Sequence, residues 1–542
     1  MSKKESFVKG TLILAAAALI ARVLGLAQRV PLEHIFDSVG NASFGAANNI
    51  YLMLLAVATA GIPSTLSKMV SERYALHREE EAQQVYRAAL LFAGAAGIVI
   101  TILLYIGAPY FATNVMKLPE AALAIRAIAP ALLLFPATAI MRGYFQGRNY
   151  MMANGVSQIT EQVARVVTAI LLAYLLMKNG SNNTTMAAGA SFGSVLGSIA
   201  AFAIMLYYSL KLRRDDKIAA LNYAPVPKLP MLGIYKDIFK LSIPIVLSSL
   251  TVPAVNLIDN SIAIPLLIDQ VGRDAATTTL GYLTSRAQSV AGIPPILAIA
   301  LSASLIPIIS AAFARRDHDH LKRQVTLALR ISILTGTPIV LSLVVAAYSV
   351  NGLLFKSLDG SGIVAMLTLG TIFQITMMTT NSILLGMGKS RISMYYVLAG
   401  IIVKLVASFF LSKVFGIYGI IGATALCFIV ITMLNIRMLK SVVDFRIMGK
   451  RWGGFAMAVI ASGGIGYVLN EAGIMLTQVM PARLAFLFTC LVVGATVVII
   501  YLVLLIVLGV ISREEVASYP KALQKLLKPL MKLQPERARM NE

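Results

Sequence analysis

The stretch GTLILAAAALIARVLGLAQRV, residues 10–30, is long and apolar enough to cross a bilayer as one helix. It nevertheless carries two arginines, Arg22 and Arg29, seven residues apart. That spacing is about two helical turns, so both guanidiniums lie on one face, roughly 10 Å apart along the axis. An arginine at the bilayer centre costs at least ~2.5–3.5 kcal/mol to insert, so each of these charges needs a partner or a ligand.

The rest of the chain has the composition of a polytopic membrane protein. Of its 542 residues, 58% are hydrophobic and 13% are charged, and the mean hydropathy is +0.80. Soluble proteins carry about 25% charged residues. We therefore predict an all-α fold of membrane-spanning helices. Cys427 and Cys490 lie in separate apolar runs, and the histidines lack ligand spacing, so we expect no metal site and no cofactor.

Fourteen apolar stretches of about 20 residues are candidate spans. They are 10–30, 46–67, 87–108, 122–141, 155–177, 186–208, 240–266, 279–312, 325–350, 361–386, 393–412, 417–436, 453–475 and 484–511. Glycine and proline predict bends in three of them, at Gly61-Ile62-Pro63, at Pro244, Pro253 and Pro265, and at Pro294-Pro295. Gly189, Gly193 and Gly197 recur every four residues and predict close helix packing.

Lysine and arginine alternate from loop to loop along these spans. The even-numbered loops and both termini hold 34 of them, whereas the seven loops on the other side hold six. The positive-inside rule therefore places both termini in the cytoplasm. This distribution also accounts for most of the net charge of +23, so no nucleic-acid partner is expected. The tail after residue 511 spaces lysines among leucines, which predicts an amphipathic helix on the anionic inner leaflet.

The chain repeats itself at an offset of about 232–241 residues. IFDSVG at 35–40 returns as LIDQVG at 267–272, and Arg165 aligns with Lys404. Six spans form each repeat, and an even number preserves the membrane orientation, so we predict two lobes around a central cationic cavity. The predicted divisions are an N-lobe at 1–220, a C-lobe at 221–450, two further spans at 451–511 and the tail at 512–542.

Seven cations lie inside the predicted spans, beyond the first residue of each, and the only comparable acids are Glu161 and Asp259. The cations are Arg22, Arg29, Arg126, Arg165, Arg286, Arg330 and Lys404. Arg126 and Arg330 lie near span ends, where their side chains can reach the headgroups.

Three further cations have alternatives that the sequence leaves open. Arg165 follows Glu161 by four residues, the favourable order for a structural ion pair. Arg29 either reaches the headgroups or binds a ligand, and Lys404 pairs with Asp259 or with a ligand.

Arg22 and Arg286 have no local acid and are predicted to bind substrate. The surplus of cations predicts an anionic substrate, and the planar arginine fork suits phosphate groups. A pyrophosphate head with a lipid tail at the lobe interface fits this pattern.

The residues ARVLGL at 21–26 and MRGYFQGRNYMMANGVSQITEQVARV at 141–166 resemble the multidrug/oligosaccharidyl-lipid/polysaccharide exporter (MOP) superfamily. The chain is most similar to its MurJ-like lipid II flippase branch, of the Gram-positive SpoVB/YtgP polysaccharide biosynthesis type. The resemblance implies that undecaprenyl-pyrophosphate-linked peptidoglycan precursor is flipped, driven by the membrane potential or by H⁺ or Na⁺.

The resemblance also implies roles for individual residues. Arginines of the first, second and eighth spans would bind substrate, and Arg22 and Arg286 match two of them. Gln28 stands where another arginine is implied, with Arg29 beside it, and the second span has no arginine. Some relatives bind sodium through acids of the seventh and eleventh spans, whereas this chain has Asp259 and Lys404 there.

We therefore predict a lipid II flippase of the bacterial plasma membrane that works by alternating access. Arg22, Arg29 and Arg286 would bind the substrate, and Asp259 with Lys404 would form a coupling charge switch. The expected partners are the lipid-linked oligosaccharide, the bilayer and other cell-wall synthesis proteins, with the protein itself a monomer.

Three alternative functions differ from this one in substrate or in chemistry. The first is a flippase for another polyprenyl-linked oligosaccharide, such as a teichoic acid, exopolysaccharide or spore-cortex precursor. The second is a multidrug exporter, which a cation-rich lumen disfavours. The third is a membrane glycosyltransferase, which needs catalytic carboxylates. The predicted outer loops are short and show no paired carboxylate motif, so we expect no enzyme.

Overall fold

The computed structural model describes residues 7–76, 78–148, 150–219, 230–355 and 357–511. The predicted C-terminal tail at 512–542 lies outside the described residues. Those described are helical, as predicted, and the helices fall into two compact units. One unit contains the described residues up to Ser285 together with Lys389–Cys427. The other contains Arg286–Gly388 and the described residues from Phe428 onward.

Twenty α-helices follow one another along the described residues. The first ten are α1 Phe7–Ile35, α2 Ser38–Ala60, α3 Ile62–Ala75, α4 Glu79–Tyr110, α5 Ala121–Ile128, α6 Ala131–Gly147, α7 Met151–Lys178, α8 Asn183–Ala219, α9 Met231–Ser249 and α10 Thr251–Val271. The second ten are α11 Arg273–Gly281, α12 Gln288–Ala291, α13 Pro295–Ala314, α14 His318–Val345, α15 Ala347–Leu354, α16 Ser361–Gly386, α17 Ser390–Phe415, α18 Ile417–Lys440, α19 Trp452–Met475 and α20 Ala482–Val507. Short π-helical turns at Phe111–Val115 and Tyr282–Ala287 extend α4 and α11.

Ten described helices are long and apolar enough to cross a membrane, or eleven if α5 and α6, bent by 40°, form one span. The predicted number was fourteen, and the differences lie partly where the predicted spans are interrupted. Predicted span 46–67 is divided at Gly61 into α2 and α3. Predicted span 279–312 is broken between α12 and α13, before Pro295. Both breaks were predicted, because proline cannot continue the helical hydrogen-bond ladder.

The predicted span 240–266 is divided at Leu250, between α9 and α10. Pro253 lies in the first turn of α10, where a missing N–H is tolerated, whereas Pro244 and Pro265 lie inside continuous helices. Only the break near Pro253 therefore matches the predicted bends of this span.

At the break between α2 and α3, Gly61 has no room for a side chain, since an added Cβ would lie 2.5 Å from the carbonyl oxygen of Ser242 in α9.

The first unit has a core of helices α3, α4, α6, α8 and α9 around the stacked rings of Tyr86 and Tyr144, whose centroids are 4.1 Å apart. Its helices α9, α10 and α17 were assigned to the C-lobe by the predicted boundaries, but they pack in the same unit as α1–α8. The second unit buries Leu334, Ala458 and Tyr501 in a core built from α14, α19 and α20. The predicted six-span lobes stay a prediction.

Candidate functional site

A buried ion pair joins α10 to α17 in the first unit. The Lys404 Nζ donates to Asp259 Oδ1 at 2.5 Å and to the Thr424 hydroxyl at 2.7 Å. The Thr424 hydroxyl in turn donates to Asp259 Oδ2 at 3.1 Å. Lys404 is 0% exposed and Asp259 is 2% exposed. The two residues that the sequence predicts as partners are therefore in contact, and their role as a charge switch stays a prediction.

Every group in this pair has a protein partner. The backbone carbonyl of Ile420 in α18 lies 3.5 Å from the Lys404 Nζ, so three oxygens surround the ammonium. Both carboxylate oxygens of Asp259 accept hydrogen bonds. A buried charge is tolerated when it is paired and hydrogen-bonded in this way. The ammonium is thus neutralised and hydrogen-bonded by protein groups.

A second buried pair differs from the sequence prediction. The Glu161 carboxylate accepts from Arg142 Nη2 at 2.8 Å and from the Tyr51 hydroxyl at 3.2 Å, whereas Arg165 was the expected partner. Arg142 also donates to the Ser157 hydroxyl at 2.8 Å. Arg142 was counted as a loop residue, but it lies inside α6 and is 9% exposed. Because α6 brings a cation to Glu161 from a neighbouring helix, the pair within α7 does not form.

Arg165 is left with an aromatic contact. Its guanidinium carbon lies 5.5 Å from the centroid of the Tyr51 ring, and the residue is 7% exposed. Within the described residues, its Nε and Nη1 atoms have no hydrogen-bond partner. The side chain of Arg165 therefore adds a positive charge that Glu161 does not neutralise.

Glycines hold α7 against α8 and so fix the position of this cluster. An added Cβ at Gly193 would lie 2.7 Å from the Ala169 backbone nitrogen, and one at Gly197 would lie 3.0 Å from Arg165 Cβ. The close packing predicted from their four-residue spacing is confirmed. Arg165 is consequently held by backbone packing and not by an ion pair.

The arginines of α1 are described unequally. Arg22 lies in the helix, but its side chain is outside the described part of the structure. Arg29 is partly buried, and its Nη1 donates to the backbone carbonyl of Thr284 in the same unit. Arg165 is close enough for its charge to act on Arg29. Arg29 is therefore turned towards protein groups, and its role as a substrate ligand stays a prediction.

Arg286, in the second unit, holds a loop. Its Nη1 donates to the carbonyl oxygens of Ser357 and Asp359, at 3.0 and 2.7 Å, and to the Ser357 hydroxyl at 3.1 Å. The guanidinium also lies 5.6 Å from the centroid of the Phe355 ring. The predicted substrate-binding arginine thus stabilises the loop before α16 in this structure.

The two cations expected near span ends have backbone partners. Arg126 Nε donates to the Tyr105 carbonyl at 3.2 Å, and its guanidinium lies 5.3 Å from the centroid of that ring. Arg330 Nε donates to the Ile447 carbonyl. Among the described residues no cluster of histidine, cysteine, aspartate or glutamate could hold a metal ion.

Residues 7–313 match the family described as polysaccharide biosynthesis protein, which is more than half of the chain. The chain belongs to this family. The family is one of MOP superfamily transporters, so the protein is a multi-pass membrane transporter and not an enzyme.

Curated relatives come from Bacillus subtilis (strain 168). The uncharacterized membrane protein YabM is 29% identical over 81% of each chain. Lipid II flippase MurJ is 26% identical over 81% of this chain and 83% of its own length. Stage V sporulation protein B is 24% identical over 84% and 88%.

Solved structures show the same fold. An inward-facing multidrug resistance MATE family transporter matches with a TM-score of 0.65 at 14% identity, covering 80% of this chain and 98% of the other. A MOP superfamily transporter from Pyrococcus furiosus matches with a TM-score of 0.58 at 16% identity, covering 80% and 95%. The protein therefore has a MATE-like fold.

Proposed function

We propose that the protein flips a lipid-linked oligosaccharide, lipid II, from the inner to the outer leaflet of a bacterial plasma membrane by alternating access. The family and the likeness to the relative named lipid II flippase support this substrate class. The observation that carries the proposal is the buried surplus of cations beside Tyr51. Arg142 and Arg165 face one carboxylate, Glu161, and a pyrophosphate head would supply the missing negative charge.

The proposed architecture is the predicted one: fourteen spans, of which twelve form two six-helix lobes around a central cationic cavity. Both termini lie in the cytoplasm, because lysine and arginine are concentrated on that side. The protein works as a monomer, in contact with other cell-wall synthesis proteins.

Arg22, Arg29 and Arg286 are the proposed substrate ligands. The present partners of Arg29 and Arg286 include neutral backbone carbonyls, which a phosphate oxygen can replace with a stronger, charge-assisted hydrogen bond. At either arginine, binding of a phosphate oxygen would thereby release the backbone carbonyl that the guanidinium now contacts. We propose that this exchange links substrate binding to conformational change.

The pair of Asp259 and Lys404 is the proposed coupling element. Lys404 places its ammonium among the oxygens of Asp259, Thr424 and Ile420, which argues against a sodium ion there. The membrane potential or a proton would then drive the cycle, by moving or neutralising one member of the pair.

A flippase for another polyprenyl-linked oligosaccharide is the second candidate. The likeness to stage V sporulation protein B and to the uncharacterized YabM favours it, because neither name points to lipid II. The pyrophosphate end would look the same to the arginines in both cases.

Depletion in the native host, followed by analysis of lipid-linked intermediates on the inner leaflet, tests the substrate. We expect lipid II to accumulate there, and complementation by Arg22→Ala or Arg286→Ala to fall at least tenfold. Arg126→Ala is the matched control, because Arg126 lies at a helix end and contacts Tyr105. Normal lipid II with another accumulated glycan lipid would favour the second candidate, and full complementation by both variants would exclude their proposed roles.

A further inference from the structure

The sequence offers Arg165 as a possible structural partner of Glu161, but its surroundings favour a ligand-binding role. It lies near the middle of α7, is more than nine-tenths buried and has two donor nitrogens, Nε and Nη1, without a hydrogen-bond partner in the described residues. A buried guanidinium is stable only when its charge and its donors are satisfied. Within the described residues, Nε and Nη1 of Arg165 have no hydrogen-bond partner, and the acid of its own helix, Glu161, is paired with Arg142.

The nearby groups do not compensate this charge. Glu161 is paired with Arg142 at 2.8 Å, and its other hydrogen bond comes from the Tyr51 hydroxyl. Tyr51 offers Arg165 the face of its ring, which is a weaker partner than a carboxylate. Arg29 adds a second positive charge close by. The local balance therefore favours an anion.

On the α1 side of the guanidinium the chain has a glycine. Gly25 of α1 faces Arg165, and a methyl group there would lie 3.7 Å from Arg165 Nη2 and 3.7 Å from Gln162 Oε1. The Gln162 Oε1 atom is itself buried without a hydrogen-bond partner among the described residues. Its amide can also donate if it rotates, because the two ends are interchangeable in shape. Gly25 itself is partly exposed.

We infer that Arg165, backed by Tyr51 and flanked by Gly25 and Gln162, binds a phosphoryl group of the polyprenyl pyrophosphate. This inference rests on the proposed function and adds a substrate ligand that the sequence does not predict. The guanidinium can donate charge-assisted hydrogen bonds to phosphoryl oxygens, and arginine offers more such donors than lysine does. The ring of Tyr51 keeps the guanidinium plane in place.

The test is a binding measurement on the purified full chain, by native mass spectrometry with undecaprenyl pyrophosphate in detergent. We expect Arg165→Gln to weaken binding about tenfold or more, because charge-assisted hydrogen bonds are lost. Arg165→Lys keeps the charge without the fork and should fall between the two. The matched control is Arg126→Gln, which also removes an arginine stacked on a tyrosine and should bind like the unchanged protein.

Gly25→Ala keeps the test decisive if Arg165→Gln does not fold. Alanine favours the helix, and its methyl group makes only ordinary contact with Arg165, so the protein should fold while binding weakens. Undiminished binding by both Arg165→Gln and Gly25→Ala would overturn the inference.

Two further arms separate the possible sources of the phosphate. Undecaprenol, which lacks phosphate, should not bind through Arg165. Phosphatidylglycerol competing as well as the pyrophosphate would overturn the assignment to the substrate. Flipping is measured separately, so failure of the proposed function would appear as normal lipid intermediates on depletion while Arg165-dependent binding persists.

Discussion

Arg165 and Lys404 hold equivalent positions in the sequence repeat, yet their surroundings differ. Lys404 of α17 is enclosed by Asp259, Thr424 and a backbone carbonyl. Arg165 of α7 instead lies against a tyrosine ring and a glycine, because the Glu161 carboxylate is paired with Arg142. The equivalent cations of the two halves of the repeat, Arg165 and Lys404, therefore have opposite electrostatic surroundings. In one half the charge is internally neutralised, and in the other it is available to a ligand.

The neutralised half should be the more sensitive to mutation. Lys404→Met leaves the Asp259 carboxylate buried without its cation, which should lower the free energy of unfolding by about 3–5 kcal/mol. Thermal unfolding followed with a thiol-reactive dye is a suitable measurement, because Cys427 is buried and lies on the same helix as Thr424. Lys413→Met, at the end of α17 where the ammonium contacts the Phe409 ring, is the control and should change little.

The double variant Lys404→Met, Asp259→Leu should recover much of the lost stability, since it removes both charges. Exchange of the two residues should restore part of the transport that either single variant loses. An unfolding temperature of Lys404→Met equal to that of Lys413→Met would contradict the description of a tightly coupled pair.

The sequence predicts the ion-pair partner of Lys404 but not the surroundings of Arg165, and the difference has a physical reason. Few acids lie in the predicted spans, so Lys404 has few available partners, and the sequence predicts Asp259 as one of them although it is 145 residues away. Arg165 had an acid one turn earlier on its own helix, and helical spacing predicts that pair. The sequence does not predict Arg142 as a competing partner of Glu161, because the predicted span ends at residue 141, whereas α6 continues to Gly147.

The helix breaks also show that local sequence predicts only part of the structure. The breaks at Gly61 and at Pro294-Pro295 are predictable from the sequence, because glycine permits close contact with a neighbouring helix and proline interrupts helical hydrogen bonding. The break at Leu250 has only Pro253, three residues later, as a signal, and Pro265 in the same predicted span causes no break. Local residues thus predict where a helix can bend. Packing against other helices decides where it does.

Removal of Arg142 should make the surroundings of Arg165 resemble those of Lys404, because Arg165 would then pair with an acid. In Arg142→Leu, Glu161 loses its cation, but Arg165 lies one turn away in the favourable order and can replace it. We expect a loss of about 1–3 kcal/mol in unfolding free energy, below that of Lys404→Met. Binding of undecaprenyl pyrophosphate should weaken as well, because Arg165 is then neutralised.

The control is Arg142→Lys, which keeps a cation for Glu161 and should retain most of the binding. A stability loss in Arg142→Leu as large as that of Lys404→Met, with binding unchanged, would show that Arg165 cannot move to the acid. The surplus charge would then be fixed by the packing of α7 against α8.

The smallest effect should come from Tyr51→Phe. This change removes the hydroxyl that donates to Glu161 at 3.2 Å but keeps the ring against Arg165. The loss of one buried hydrogen bond should lower the unfolding free energy by about 0.5–1.5 kcal/mol. Affinity for undecaprenyl pyrophosphate should stay the same, whereas Tyr51→Leu, which also removes the ring, should reduce it. If the two variants bind equally well, the ring does not orient Arg165, and the difference between Arg165 and Lys404 reduces to their distance from an acid.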